Sequence, residues 1–208
     1  MSALDQRWLE RVKRLQALAA TGLHYTDGEY DRERYEEINQ ITILMLAELA
    51  EVPVERIEGL VPTSASGYAT PLIDVRSAVL QDDTILLVRE ATDGRWTLPG
   101  GFADIGHSAA RNAEKEVAEE ASINVSARSI YAVRHKSKHA YDPDVRDFYK
   151  VFFLCEAIDG TPPRPGPETT DARYFPRGEW PELSRGRVIE QDLEAAFLHA
   201  ETGRLWFD

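Results

Sequence analysis

The chain predicts an α/β domain behind a small all-helical N-terminal segment. Three observations carry this. Residues 4–57 place apolar side chains at helical spacing. From residue 74 onward, short apolar runs suited to strands alternate with two segments of helical period. Between the two patterns lies Pro62-Thr-Ser-Ala-Ser-Gly67, small and polar, as suits a linker. The expected division is a helical extension over 1–66 and an α/β domain over 67–208.

The elements follow in order. Trp8, Val12, Leu15 and Leu18 form an apolar stripe over residues 4–20, with Gly22 expected as the C-terminal cap. Asp31 is the expected N-cap of a second helix, whose stripe is Tyr35, Ile38, Ile41, Met45 and Leu49. Pro53 opens a short third helix carrying Val54 and Ile57. Asp74–Leu80 and Thr84–Arg89 read as two strands joined by a turn at Gln81-Asp82-Asp83. A helix over about 108–121 follows, with Ser108 as its N-cap. Ile130–Val133 and Tyr149–Cys155 read as strands, and the proline-rich Thr161–Pro167 as a loop that cannot join a ladder. Asp171–Phe175 is a last strand. Val188–Ala200 is a last helix with Ile189, Leu193, Ala196 and Phe197 on one side.

With 29% charged and 43% hydrophobic residues, the composition is that of a soluble globular protein. No apolar run approaches the roughly 20 residues of a membrane span, and the N-terminus lacks the plan of a signal peptide. Cys155 is the only cysteine, so no internal disulfide can form; set in the apolar run Val151–Cys155, it is expected to be a buried structural thiol. The cytoplasm is the expected location. A net charge of −12 argues against long nucleic acid as a partner and is compatible with a small anion escorted by a cation.

The densest chemistry lies in the 108–121 helix. Glu116 and Glu120 are four apart and Glu119 is three from Glu116, so the three carboxylates share one side of a helix. Like charges gathered in this way repel, and a hard divalent cation, Mg²⁺ or Mn²⁺, compensates them. The opposing reading is a solvated acidic face on which Lys115 pairs with Glu119. The exact spacing and the Gly100-Gly101 turn ahead of the helix favour the metal.

The segment resembles the Nudix box, G-x5-E-x7-R-E-U-x-E-E-x-G-U, with U aliphatic. Gly101, Glu116, Val117, Glu119, Glu120 and Ile123 match it, and Trp96-Thr-Leu-Pro-Gly-Gly101 resembles its approach. His107, Lys115 and Ser122 stand where Glu, Arg and Gly are usual. The N-terminal part is similar to the helical extension of one bacterial subgroup of this family, through Leu15–Ala19, Thr21–Leu23, Asp31–Glu36 and Gly67–Pro71. The resemblance implies an α/β/α sandwich with a mixed sheet, and a metal-dependent pyrophosphohydrolase. Its substrate would be a nucleoside diphosphate linked to a moiety X, CDP-choline-like or ADP-ribose-like, cleaved to a nucleoside monophosphate and phospho-X. It also implies metal binding by Glu116 and Glu120, with Glu119 close by and the Gly100 carbonyl adding an oxygen. The catalytic set is then Glu119, Glu120 and Glu168. Glu168, on the loop before the last strand, is the candidate water-activating base, and Glu119 the alternative.

His107 cannot serve as a hard anionic ligand, and Lys115 keeps a charge without the arginine fork. Ser122 costs about 1 kcal/mol if its φ is positive. Arg76, Arg89 and Lys136 are candidate substrate contacts, the last within the basic run Arg134–His139. Tyr68, Trp96, Tyr131 and Tyr141 are candidate base-stacking rings, each weighed against plain packing. The apolar stripes of the extension call for a second subunit, a homodimer, or a lid role. Two rival functions stand beside the hydrolase: a short-RNA hydrolase using the basic run, and a non-catalytic nucleotide sensor.

Overall fold

A computed structural model describes residues 3–58, 60 and 68–208. They form two compact units, Met1–Leu72 with Pro143–Asp147, and Ile73–Asp142 with Phe148–Asp208. The linker expected at Pro62–Gly67 lies outside the described residues. No helix among the described residues is long and apolar enough to cross a membrane.

The first unit is built on α1 (Ala3–Tyr25), α2 (Glu29–Ala50) and the short α3 (Val54–Glu58). Its core is Leu9, Val12, Ile43, Leu46, Ala47 and Ile57. Two expectations are corrected here. Gly22 does not end α1; it lies inside the helix, where a Cβ would stand 2.6 Å from the Tyr35 ring. The glycine lets α2 approach closely rather than turning the chain. Asp31 is not the cap of α2; Gly28 holds that place and Asp31 lies in the first turn.

Both helical stripes are also displaced. The buried side of α1 carries Leu9, Val12, Gln16, Ala19, Ala20 and Leu23, while Trp8, Leu15 and Leu18 are exposed. The buried side of α2 carries Asn39, Thr42, Ile43, Leu46 and Ala47, leaving Ile38 and Ile41 exposed. Each helix has two apolar sides, and periodicity alone cannot say which one faces the partner helix. Lys13 Nζ reaches the carbonyls of Asp144 and Arg146 and the Asp147 carboxylate, the last at 2.9 Å.

The second unit has a mixed sheet with a helix on either side. Its strands are β1 (Leu72–Gln81), β2 (Thr84–Glu90), β3 (Trp96–Thr97), β4 (Val125–His135), β5 (Phe148–Ala157), β6 (Thr169–Pro176) and β7 (Trp206–Phe207). Their order is β3-β2-β1-β5-β4-β7, with β6 paired to β2. Pairings β1–β2, β2–β3, β2–β6 and β4–β5 are antiparallel, and β4–β7 is parallel.

Strand alternation explains the two layers. Leu86 and Val88 of β2 face α4 (Ala109–Ala121) through Ala113, Val117 and Ala121. Ile85 and Leu87 face the other way, toward Leu193, Ala196 and Phe197 of α5 (Glu190–Thr202). The short β3 and β7 escape sequence reading because two residues have no period. Cys155 is buried among the α4-side core, and burial pushes its thiol up to about 11. Trp96, Tyr131 and Tyr141 are buried packing residues, and only Tyr68 of the four candidate stacking rings is exposed.

Candidate active site

The site is assembled where the turn after β3 meets α4. Residues 99–103 run antiparallel to β1: Val75 N–H donates to the Gly101 carbonyl and Ser77 N–H to that of Pro99. Gly100 lies so close to β1 that a Cβ would stand 2.1 Å from the Val75 carbonyl oxygen and 2.9 Å from Arg76 Cα, and its φ of +151° adds to the need for glycine. Gly101 also passes close to α4, its missing Cβ position being 3.1 Å from both Glu116 carboxylate oxygens.

Helix α4 starts where expected. Ser108 caps it by accepting from Arg111 N–H at 3.1 Å. It ends at Ser122, whose φ of 56° is the left-handed geometry for which glycine is usual. Glu120 is buried, and its Oε2 accepts from Gly100 N–H at 3.0 Å. Burial, opposed by Arg76 and by the Gly100 hydrogen bond, pushes the Glu120 carboxyl up to about 8. Burial also raises Glu116, with Arg76 pulling the other way. Glu119 differs: it is exposed, and Lys115 holds its carboxylate at 3.3 Å while also binding Asp104 at 2.9 Å. The members of the cluster differ in setting: Glu119 sits on a solvated, lysine-paired face, whereas Glu116 and Glu120 are turned in on the glycines. His107 is exposed.

The proline-rich loop brings Glu168 to this point. Arg164 N–H donates to the Ala121 carbonyl, and Gly166 N–H and the Thr169 hydroxyl both donate to the Glu120 carbonyl. The loop thereby satisfies carbonyls that the end of α4 leaves open. Glu168 is exposed, and its charge raises both Glu116 and Glu90.

Sequence reasoning missed Glu90. It ends β2, is buried, and has its carboxylate 3.2 Å from Arg187 Nε. Burial raises its pKa, Arg187 and Arg76 lower it, and its charge in turn raises Glu120. Its signal was a charge closing an apolar strand directly beside Arg89.

Arg76 is buried beneath the Gly100 turn. Its Nε donates to Asp74 at 2.8 Å and its Nη1 to the Leu98 carbonyl at 3.2 Å. Arg89, by contrast, is exposed and closes the β2–β3 turn through Nε on the Gly94 carbonyl. Lys136 is buried, with Nζ 5.1 Å from the Phe148 ring centre. The run Arg134–His139 is not a solvated loop. Arg134 and His135 belong to β4 and Lys136–Lys138 form a 3-10 turn; Arg134 pairs with buried Asp192 and His139 with Asp208.

Among the described residues no three His, Cys, Asp or Glu side chains stand together in metal-holding geometry. Two hard carboxylates at a glycine turn nonetheless fit Mg²⁺, which is commonly held by one or two carboxylates together with substrate phosphates and water. Metal binding requires the ionised carboxylate. Because Glu120 is raised to about 8, metal affinity is expected to climb about tenfold per pH unit up to that value and then level off. Titration calorimetry in buffers of different ionisation enthalpy should register proton release at pH 7. The stability of chelated protein runs the opposite way: a raised carboxyl favours the fold below its ordinary 4.5, and that contribution is lost as pH rises through about 8.

Comparison with known proteins supplies the remaining observations. Residues 71–194 match the NUDIX domain model, and residues 6–61 match a model described as a UDP-X-like N-terminal oligomerisation domain. A Bacillus subtilis (strain 168) protein, YjhB, provisionally named an ADP-ribose pyrophosphatase, is 40% identical over 95% of this chain and 94% of its own. The crystal structure of a UDP-X diphosphatase is 30% identical, with a TM-score of 0.63 over 98% of this chain and 99% of that one. An ADP-ribose pyrophosphatase from Streptococcus suis 89-1591 is 35% identical, with a TM-score of 0.60 over 67% of this chain and all of its own.

Proposed function

Because the chain belongs to the NUDIX family and is a Nudix hydrolase, we propose that it is a divalent-metal-dependent pyrophosphohydrolase for a nucleoside diphosphate linked to a second group. Its products are a nucleoside monophosphate and a phosphorylated X. The names of its relatives favour ADP-ribose or a UDP-X compound over the CDP-choline-like alternative. The observation that carries the reading is the inward turn of Glu116 and Glu120 onto Gly100-Gly101.

In this reading Glu116 and Glu120 would hold Mg²⁺ or Mn²⁺, with the Gly100 carbonyl as a further oxygen. The cation, when bound, neutralises diphosphate charge and lowers the pKa of water. The protein's own groups do the rest. Arg76 provides a fixed positive charge under the turn. Glu168, carried in by the loop that caps α4, accepts the proton of the attacking water. Glu119, held by Lys115, is the alternative base. The short-RNA reading loses its support, because Arg134 and His139 are engaged within the chain.

The test is product release from ADP-ribose, UDP-sugars, CDP-choline, dinucleotides and a short RNA, with Mg²⁺, with Mn²⁺ and with chelator. Metal-dependent cleavage of a small nucleoside diphosphate is the expected result; cleavage of RNA alone would overturn the reading.

The extension is proposed to form a homodimer through the exposed side of α1, where Leu4, Trp8, Leu15 and Leu18 stand in solvent. Trp8→Glu is expected to shift a dimeric protein to monomer in sedimentation velocity. A wild-type protein that sediments as a monomer at micromolar concentration would sink the idea.

A further inference from the structure

Lysine is almost never fully buried unless it is paired, yet Lys150, the third residue of β5, has no exposed surface. Its Nζ lies 2.6 Å from Asp74 Oδ2 and 5.4 Å from the Tyr141 ring centre. The other Asp74 oxygen holds Arg76 Nε at 2.8 Å. One carboxylate therefore serves two buried cations. Tyr141 in turn donates to Asp192 at 2.8 Å, and Asp192 pairs with Arg134 at 3.4 Å. The connected network sets three cations against two carboxylates, so it carries a surplus positive charge.

The surplus has a direction. Arg76 packs directly under Gly100, whose absent Cβ would stand 2.9 Å from Arg76 Cδ, and Gly100 N–H holds Glu120. The carboxylates outside the network that Arg76 acts on include those of the proposed diphosphate site, Glu120, Glu116 and Glu90. An Asp74–Arg76 pair alone would be neutral and would present little field to an anion. A third, hidden charge is needed to make the cradle cationic.

We infer that Lys150 is a positioning residue for substrate: through Asp74 it fixes the Arg76 guanidinium beneath the Gly100 turn and leaves the buried trio with the net positive charge that receives the diphosphate. This rests on the pyrophosphohydrolase reading of the same site. Lys150 touches no substrate. It acts through its effect on Arg76, at low dielectric where charge is strongly felt.

The experiment measures binding of α,β-methylene-ADP with Mg²⁺ by calorimetry, alongside KM and kcat on whichever substrate the panel yields. Lys150→Met is expected to weaken binding about tenfold and to raise KM more than it lowers kcat. If Lys150→Met does not fold, Lys150→Gln, which keeps a donor to Asp74 but not the charge, is expected to show the same loss, and Lys150→Arg to restore part of it. Wild-type affinity in either neutral variant overturns the inference. So does a wild-type protein that does not bind the probe. If the binding pattern holds while the hydrolysis panel is silent, the reaction assigned is refuted and the role of Lys150 stands.

Discussion

Glu120→Gln is expected to cut turnover about a thousandfold or more while leaving the fold intact. The amide has the size of the carboxylate and can still accept from Gly100 N–H, so the bond that sets the turn on α4 survives. What is lost is the charge that would hold the metal, a function worth several kcal/mol at about 1.4 kcal/mol per factor of ten. The same substitution removes the group raised to about 8. The chelated variant should therefore lose less stability than chelated wild type as pH rises through that value. Glu119→Gln makes the contrast, since its carboxylate is exposed and tied to Lys115, and its effect should be clearly smaller. Comparable losses in both variants, or wild-type turnover in Glu120→Gln, would remove α4 as the metal site.

Gly166→Ala should damage both stability and rate. A methyl group there would stand 1.7 Å from the Glu119 carbonyl oxygen and 3.2 Å from Glu120 Cα. These are backbone atoms of the helix, which cannot swing aside as a flexible side chain would. The loop must lift, and with it go the donors from Gly166 and Thr169 to the Glu120 carbonyl. Strain of this kind costs about 1–3 kcal/mol, a fall of roughly 5 °C in Tm for a chain of this length. Glu168 lies two residues on, so kcat should fall as well, in a way that Glu168→Gln already reproduces. An alanine variant that melts and turns over like wild type would mean that the loop docks elsewhere in solution.

The local geometry set by short-range spacing was legible in the residues themselves. Ser108, the α4 helix, Glu116 and Glu120 and the glycine pair all follow from periodicity, capping and charge crowding within one short segment. The left-handed backbone at Ser122 meets the condition under which its substitution for glycine was expected to be costly. The failures share a cause: each depends on what lies across the fold. Whether Val12 or Leu15 faces inward on α1 is decided by α2, and Gly22 matters because of the Tyr35 ring. Asp74 and Lys150 are 76 positions apart, so no local pattern pairs them. A sequence clue did exist, since each is a charge inside a largely apolar strand, a costly placement that calls for a partner. Glu90 likewise gains its role only when β6 and Arg187 close around it.

The lone thiol has a practical consequence. Cys155 is buried between the sheet and α4, and burial pushes its thiol up to about 11, so at neutral pH it offers almost no thiolate to alkylating reagents. The native chain is in effect a blank for maleimide chemistry. A single cysteine placed on α1 or on the loop before β6 would take a fluorophore or spin label with the native cysteine left in place.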